Sequence, residues 1–162
     1  MKKIKAVSLI EMMVVLGIIT MLMGLTTVYF FNYKAGAALK ISANNIMAAL
    51  NQARSLAITH QIEHGVAFDP ANSEYFIFAK PDQLTRQLIT TSMKTASGVI
   101  IESTTLPVDS HVLISRPAEI FNITGSAEDN ASIFLKNSQG KYYTLTIVNA
   151  TGRIKIYNYQ KL

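Results

Sequence analysis

Three groups of residues in this sequence could do chemistry. The first is Glu11, the only ionisable side chain between Ala6 and Tyr29, set in an apolar run of 25 residues from Val7 to Phe31. A charged side chain at the centre of a membrane-length helix costs roughly 2.5–3.5 kcal/mol, so such a residue implies a partner. The second is His60-Gln61-Ile62-Glu63-His64, which matches the H-x-x-E-H pattern of a family of zinc peptidases. The third is the alternation Arg153, Lys155, Tyr157, Tyr159, followed by Lys161. Cationic and aromatic side chains on one strand face can hold phosphates and stack on bases.

The elements that position these groups follow from periodicity. Met1-Lys2-Lys3-Ile4-Lys5-Ala6 places three lysines and no acid before the apolar run. That bias holds the amino end in the cytoplasm and sends the rest outward. The run is long enough to cross about 30 Å of hydrocarbon at 1.5 Å per residue. A secretory signal has a shorter apolar core and a small-residue cleavage site after it. Tyr29, Phe30, Phe31 and Tyr33 instead form an aromatic girdle ending at Lys34.

Beyond it, Leu39, Ala43, Ile46, Met47, Leu50, Ala53, Ala57 and Ile58 recur at helical spacing. Nothing up to Gln61 forces a break; Gly36 can bend the helix, and Gly65 supplies its stop after His64. The pattern then changes to short strands. Candidates are 66–69, 75–79, 87–93, 99–102, 111–115, 119–124, 132–136, 142–148 and 153–159, with a hairpin signal at Pro70-Ala71-Asn72-Ser73. The stretch 80–97 is polar, weakly patterned and reads as a mobile loop. The predicted fold class is α+β: a long N-terminal helix packed against a C-terminal antiparallel β head. The expected divisions are a leader (1–6), a membrane and assembly half-helix (7–33), an amphipathic half-helix (34–64) and the head (65–162).

Composition narrows the function. The chain has 162 residues, no cysteine and no tryptophan, which excludes disulfides and thiol chemistry. Its formal net charge of +5 is uneven, and the last 32 residues carry five cations and no acid. The H-x-x-E-H match lacks a third ligand, because the downstream chain reads as strands. Histidines at a helix C-terminus, where positive charge is favoured, account for it. No metal or cofactor is expected. Sequons at Asn122, Asn130 and Asn149 matter only in a glycosylating host. No phosphate loop, nucleophile elbow or catalytic triad is visible.

The segment Lys5-Ala6-Val7-Ser8-Leu9-Ile10-Glu11 resembles the class III signal of type IV pilins and pseudopilins. The resemblance implies cleavage between Ala6 and Val7 by a prepilin peptidase, and N-methylation of Val7. Where the family has Gly and Phe flanking the cut, this chain has Ala6 and Val7. Glu11 becomes the assembly glutamate, neutralised in the bilayer by the Val7 amine of a neighbouring subunit. Three looser matches, Ala53-Arg54-Ser55-Leu56-Ala57, Phe121-Asn122-Ile123-Thr124-Gly125 and Thr151-Gly152-Arg153-Ile154, resemble the minor pseudopilins and pilins of the GspH and FimT type.

The resemblance implies a non-enzymatic subunit of a bacterial inner-membrane filament, working with other pilins and an assembly platform, often at the filament tip. Some FimT-like proteins bind DNA through a basic C-terminal region containing a Gly-Arg motif. Arg153, Lys155, Tyr157 and Lys161 are the corresponding candidates here. The rival reading is a single-pass membrane protein whose head binds a ligand and never polymerises.

Overall fold

The computed structural model describes residues 8–82, 84–110 and 116–158, without the side chains of residues 25–28. The leader, Ala6, Val7, Tyr159, Lys161 and the candidate strand 111–115 lie outside the described residues. The chain divides into two units, residues 1–34 and 35–162.

One helix, α1, runs from Leu9 to His60. Within the first unit, the described side chains from Ser8 to Lys34 are exposed on every side of the helix. This portion is long and apolar enough to cross a membrane. In the second unit the helix is two-sided. Leu39, Ala43, Ile46, Leu50, Ala53 and Ala57 are buried, at spacings of four and three residues, while Lys40, Asn44, Asn51 and Gln61 face out. Ile58, placed on the apolar stripe by its spacing, is 44% exposed.

The helix ends five residues before Gly65. Gln61 adopts φ +56° and its side-chain amide donates to the Ile58 carbonyl at 2.7 Å, which together end the helix without a glycine. Gly65 sits inside strand β1 (Glu63–Asp69). A Cβ there would lie 2.5 Å from the Glu119 carbonyl and 2.6 Å from the Phe78 ring, so the position demands a close approach rather than a stop.

The first sheet is antiparallel. Its order is β3 (Gln87–Leu88), β2 (Glu74–Lys80), β1, β7 (Arg116–Phe121) and β6 (Val108–Asp109), with β4 (Met93–Lys94) also on β2. The second has the order β10 (Arg153–Tyr157), β9 (Tyr142–Val148), β8 (Ala131–Asn137) and β5 (Val99–Thr104). Both sheets contribute to one core with α1. Val66, Phe68, Ile77 and Phe121 come from the first sheet, and Ile101, Ile133, Leu135, Leu145 and Ile147 from the second. Each such side chain contributes roughly 1.5–3 kcal/mol by leaving water.

Two strands differ from their sequence patterns. The stretch 87–93 pairs with β2 at both ends, but its middle departs, because the Thr90 hydroxyl takes the Ile77 N–H at 3.0 Å. The segment 80–97 thus folds back along β2 where its polarity reads as a loop. Strand β7 ends at Phe121, because the Asn122 side chain accepts from the N–H groups of Thr124 and Ser126, both at 3.0 Å, and forms a turn.

A second, smaller core of Ala67, Phe76, Phe78, Ala118 and Ile120 lies on the other face of the first sheet. Strands β3 and β6 stand at opposite ends of that sheet, about 19 Å apart if it were flat. Yet Arg86, just before β3, meets Asp109 of β6 at 2.7 Å, with side chains only 7% and 10% exposed. The sheet therefore curls until its ends are clasped. Removing one member of a buried pair strands the other charge. Asp109→Asn is expected to cost about 3–5 kcal/mol in a denaturation measurement, whereas the exposed pair Lys94–Glu74 is expected to tolerate Lys94→Gln with little change.

Candidate functional site

Glu11 stands in the first turn of α1. Ser8 precedes the helix, and its carbonyl accepts the first helical bond from Met12 N–H at 3.2 Å. A carboxylate there meets the positive end of the helix dipole. Ile10, Met12, Met13, Val14 and Val15 surround it, all exposed. Among the described residues the Glu11 carboxylate has no hydrogen-bond or ion-pair partner. The arrangement is a carboxylate on an apolar cylinder, ready for a cation from outside the chain. Ala6 and Val7, the expected source of that cation in a neighbouring copy, are outside the described residues.

The three short segments singled out in the head come together at one point. Arg54, from Ala53–Ala57 on α1, donates through Nε to the Gly125 carbonyl at 2.8 Å. Gly152, leading β10, packs on that same carbonyl. A Cβ at Gly152 would lie 2.2 Å from the Gly125 oxygen and 3.1 Å from Arg54 Nε, and its φ of +59° disfavours any side chain. Ala127 N–H donates to the Asn149 carbonyl at 2.9 Å, and the Ser126 hydroxyl to that of Ala150 at 3.3 Å. The β7–β8 loop and the β9–β10 turn are thus stitched together and hung from α1. Asn122 and Asn130 belong to the same stitching. The Asn130 side chain accepts Asn149 N–H at 3.0 Å, so these sequon asparagines serve as backbone acceptors.

This junction fixes where β10 begins. On β10, Ile154 points into the core, while Arg153 and Lys155 are exposed on the opposite face and Tyr157 is half-buried there. Thr144 and Thr146 of β9 lie opposite Tyr157 and Lys155. Five other cations of the head are neutralised by acids at 2.7–2.9 Å: Lys80 by Glu63, Arg86 by Asp109, Lys94 by Glu74, Arg116 by Asp69 and Lys136 by Glu102. Among the described residues, Arg153, Lys155 and Lys141 have no acidic partner. Lys161, the remaining candidate, lies outside them.

The H-x-x-E-H match dissolves in three dimensions. His60 ends the helix and is exposed, whereas Glu63 and His64 are on β1 and Glu63 pairs with Lys80 at 2.9 Å. His64 is 1% exposed, a buried strand residue where the sequence suggested a surface histidine. Among the described residues no group of three His, Cys, Asp or Glu could hold a metal ion. Sequence reasoning also missed Glu119, fully buried on β7, whose carboxyl burial pushes up to about 8. Its place in an apolar-flanked strand, Ala-Glu-Ile-Phe, was the available signal.

No family model matches the chain, and no curated protein matches it. Solved structures do. The minor pseudopilin EpsH of the type 2 secretion system of Vibrio cholerae superposes with a TM-score of 0.61 at 13% identity, over 78% of this chain and 97% of that one. A second structure of EpsH gives 0.59 at 13% identity, over 74% and 96%. The type IV minor pilin FimU of Pseudomonas aeruginosa gives 0.51 at 16% identity, over 74% and 92%. The chain has the minor-pilin fold.

The junction of Arg54, Gly125 and Gly152 yields a graded expectation. Gly152→Ala should lower the melting temperature markedly, since the backbone carbonyl of Gly125 blocks the added methyl. Arg54→Lys should cost less, on the order of 1 kcal/mol for one hydrogen bond. Equal, negligible effects in thermal unfolding would remove the junction's structural role.

Proposed function

We propose that this protein is a minor pilin or pseudopilin, a membrane-anchored structural subunit that enters a bacterial filament through its N-terminal helix. One observation carries the reading. A lone carboxylate, Glu11, is presented on the apolar helix of a chain whose head has the minor-pilin fold. In lipid that carboxylate is costly until a cation neutralises it, and the amine of a neighbouring subunit processed before Val7 is such a cation. Docking and charge neutralisation then become one event, which sets the axial register between subunits.

The prepilin peptidase and an inner-membrane platform are the partners this requires. A low-abundance position near the filament tip is part of the same proposal, and the likeness of the fold to minor subunits supports it. No catalytic step is involved.

Glu11→Ala should leave the protein in the membrane at wild-type levels but absent from sheared filament or pseudopilus fractions. Normal incorporation of Glu11→Ala would favour an anchored protein that binds a ligand and does not polymerise.

A second reading rests on Arg153 and Lys155, which have no acidic partner among the described residues. Five cations elsewhere in the head are matched by acids, while these two share one face with Tyr157. Such a face suits an anionic polymer, and DNA uptake is the function it would serve. Arg153→Glu with Lys155→Glu should abolish salt-sensitive DNA binding by the purified protein. Binding that survives this double reversal would end the DNA reading without touching the filament role.

A further inference from the structure

Among the described residues of the head, two buried side-chain polar atoms have no hydrogen-bond partner: Nε2 of His64 on β1 and Oε2 of Glu119 on β7. Both residues are 1% exposed. The register sets His64 opposite Phe121 and Val66 opposite Glu119. Directly opposed residues share a face, so His64 and Glu119 share one too. They are diagonal neighbours, about 7–8 Å apart along the backbone and within reach of long side chains. That face is turned toward the main core, to which Val66 and Phe121 belong.

The chemistry of the two atoms is complementary. His64 Nδ1 lies 2.7 Å from the Ile62 carbonyl oxygen. A carbonyl can only accept, so Nδ1 carries the proton and Nε2 of the neutral ring is a bare acceptor. Glu119 is the reverse case. Burial raises its pKa to about 8, so it holds a proton at neutral pH. Its Oε1 accepts the Asp129 N–H at 3.4 Å, which leaves Oε2 as the place for the acidic proton.

We propose that neutral Glu119 donates its proton toward His64 Nε2 through one buried water, as a proton-dependent tie between β1 and β7. The same ring braces the turn after α1 through Ile62, so the tie links the helix end to the middle of the first sheet.

The surrounding charges leave this role to His64. Glu63 is occupied by Lys80, and Arg54 by the Gly125 carbonyl. The His60 ring packs edge-on to His64 at 5.5 Å. Asp129 adds a negative charge that raises Glu119 further, against the lowering by the N–H groups of Asp129, Glu128 and Ile120. Between the ordinary carboxyl value of 4.5 and about 8, the native state holds a proton that the unfolded chain has released. Stability is therefore full on the acid side of that window and falls as pH rises through it.

The test uses the full-length protein in detergent micelles, with carboxyl-labelled glutamate and nitrogen-labelled histidine followed by NMR. The expected spectrum has His64 protonated at Nδ1, with an Nε2 resonance that moves as Glu119 titrates. His64→Phe should lower the Glu119 midpoint by about one pH unit or more, because the neutral carboxyl loses its acceptor. A midpoint that stays or rises would mean that burial alone holds the proton, and would overturn the tie. If His64→Phe does not fold, the wild-type spectrum decides, since an Nε2 resonance indifferent to Glu119 also overturns it. Glu119→Gln keeps a donor that no longer titrates. It should abolish the loss of melting temperature between pH 6.5 and pH 9, and persistence of that loss would assign it to another group.

Discussion

Burial of the stripe Leu39, Ala43, Ile46, Leu50, Ala53 and Ala57 between two sheets is the interaction on which the rest of residues 35–162 depends. Neither sheet closes a core by itself. The second has four strands and leaves β10 and β5 at its ends, and the first is curled around its own small cluster. Each turns one apolar face to the core that it shares with α1. In the first unit the helix is apolar, and its described side chains are exposed on every side, as suits a segment long and apolar enough to cross a membrane.

Polar groups specify how the sheets hang on the helix. Arg54 reaches the Gly125 carbonyl, the Ser42 hydroxyl accepts Ala96 N–H at 2.9 Å, and the Asn137 side chain donates to the Ala35 carbonyl at 3.2 Å. Two of these bonds join α1 to loops, and the third joins it to Asn137, the last residue of β8. Apolar burial selects the faces, while these directional bonds select the register, since a buried backbone group without a partner is costly. The basic face of β10 is oriented by the Arg54 junction, so a short motif near the helix end governs what a distant strand presents.

Much of this architecture was legible in the sequence because it rests on periodicity. The helical stripe, the β1–β2 hairpin around Pro70-Ala71-Asn72-Ser73 and the strands 132–136 and 142–148 all follow patterns of burial. What escaped was set by pairing partners far away in sequence. Gly65 read as a stop because a glycine after a helix usually is one; its cause is the Glu119 carbonyl and the Phe78 ring. Arg86 read as loop because its partner, Asp109, is met only when the sheet curls. His64 and Glu119 carried no periodic signal as a pair, since only the β1–β7 register brings them onto one face. The site residues divide the same way. Glu11 is conspicuous by composition alone, whereas the lack of an acid beside Arg153 and Lys155 among the described residues emerges only once five other cations of the head have met theirs.

The central claim is that Glu11 awaits an amine created by cleavage, and the mature N-terminus tests it most directly. Intact mass and N-terminal sequencing of the protein from a native membrane should give a chain that begins at methylated Val7. A chain still beginning at Met1 would deny Glu11 its partner and leave a plain membrane anchor as the better account.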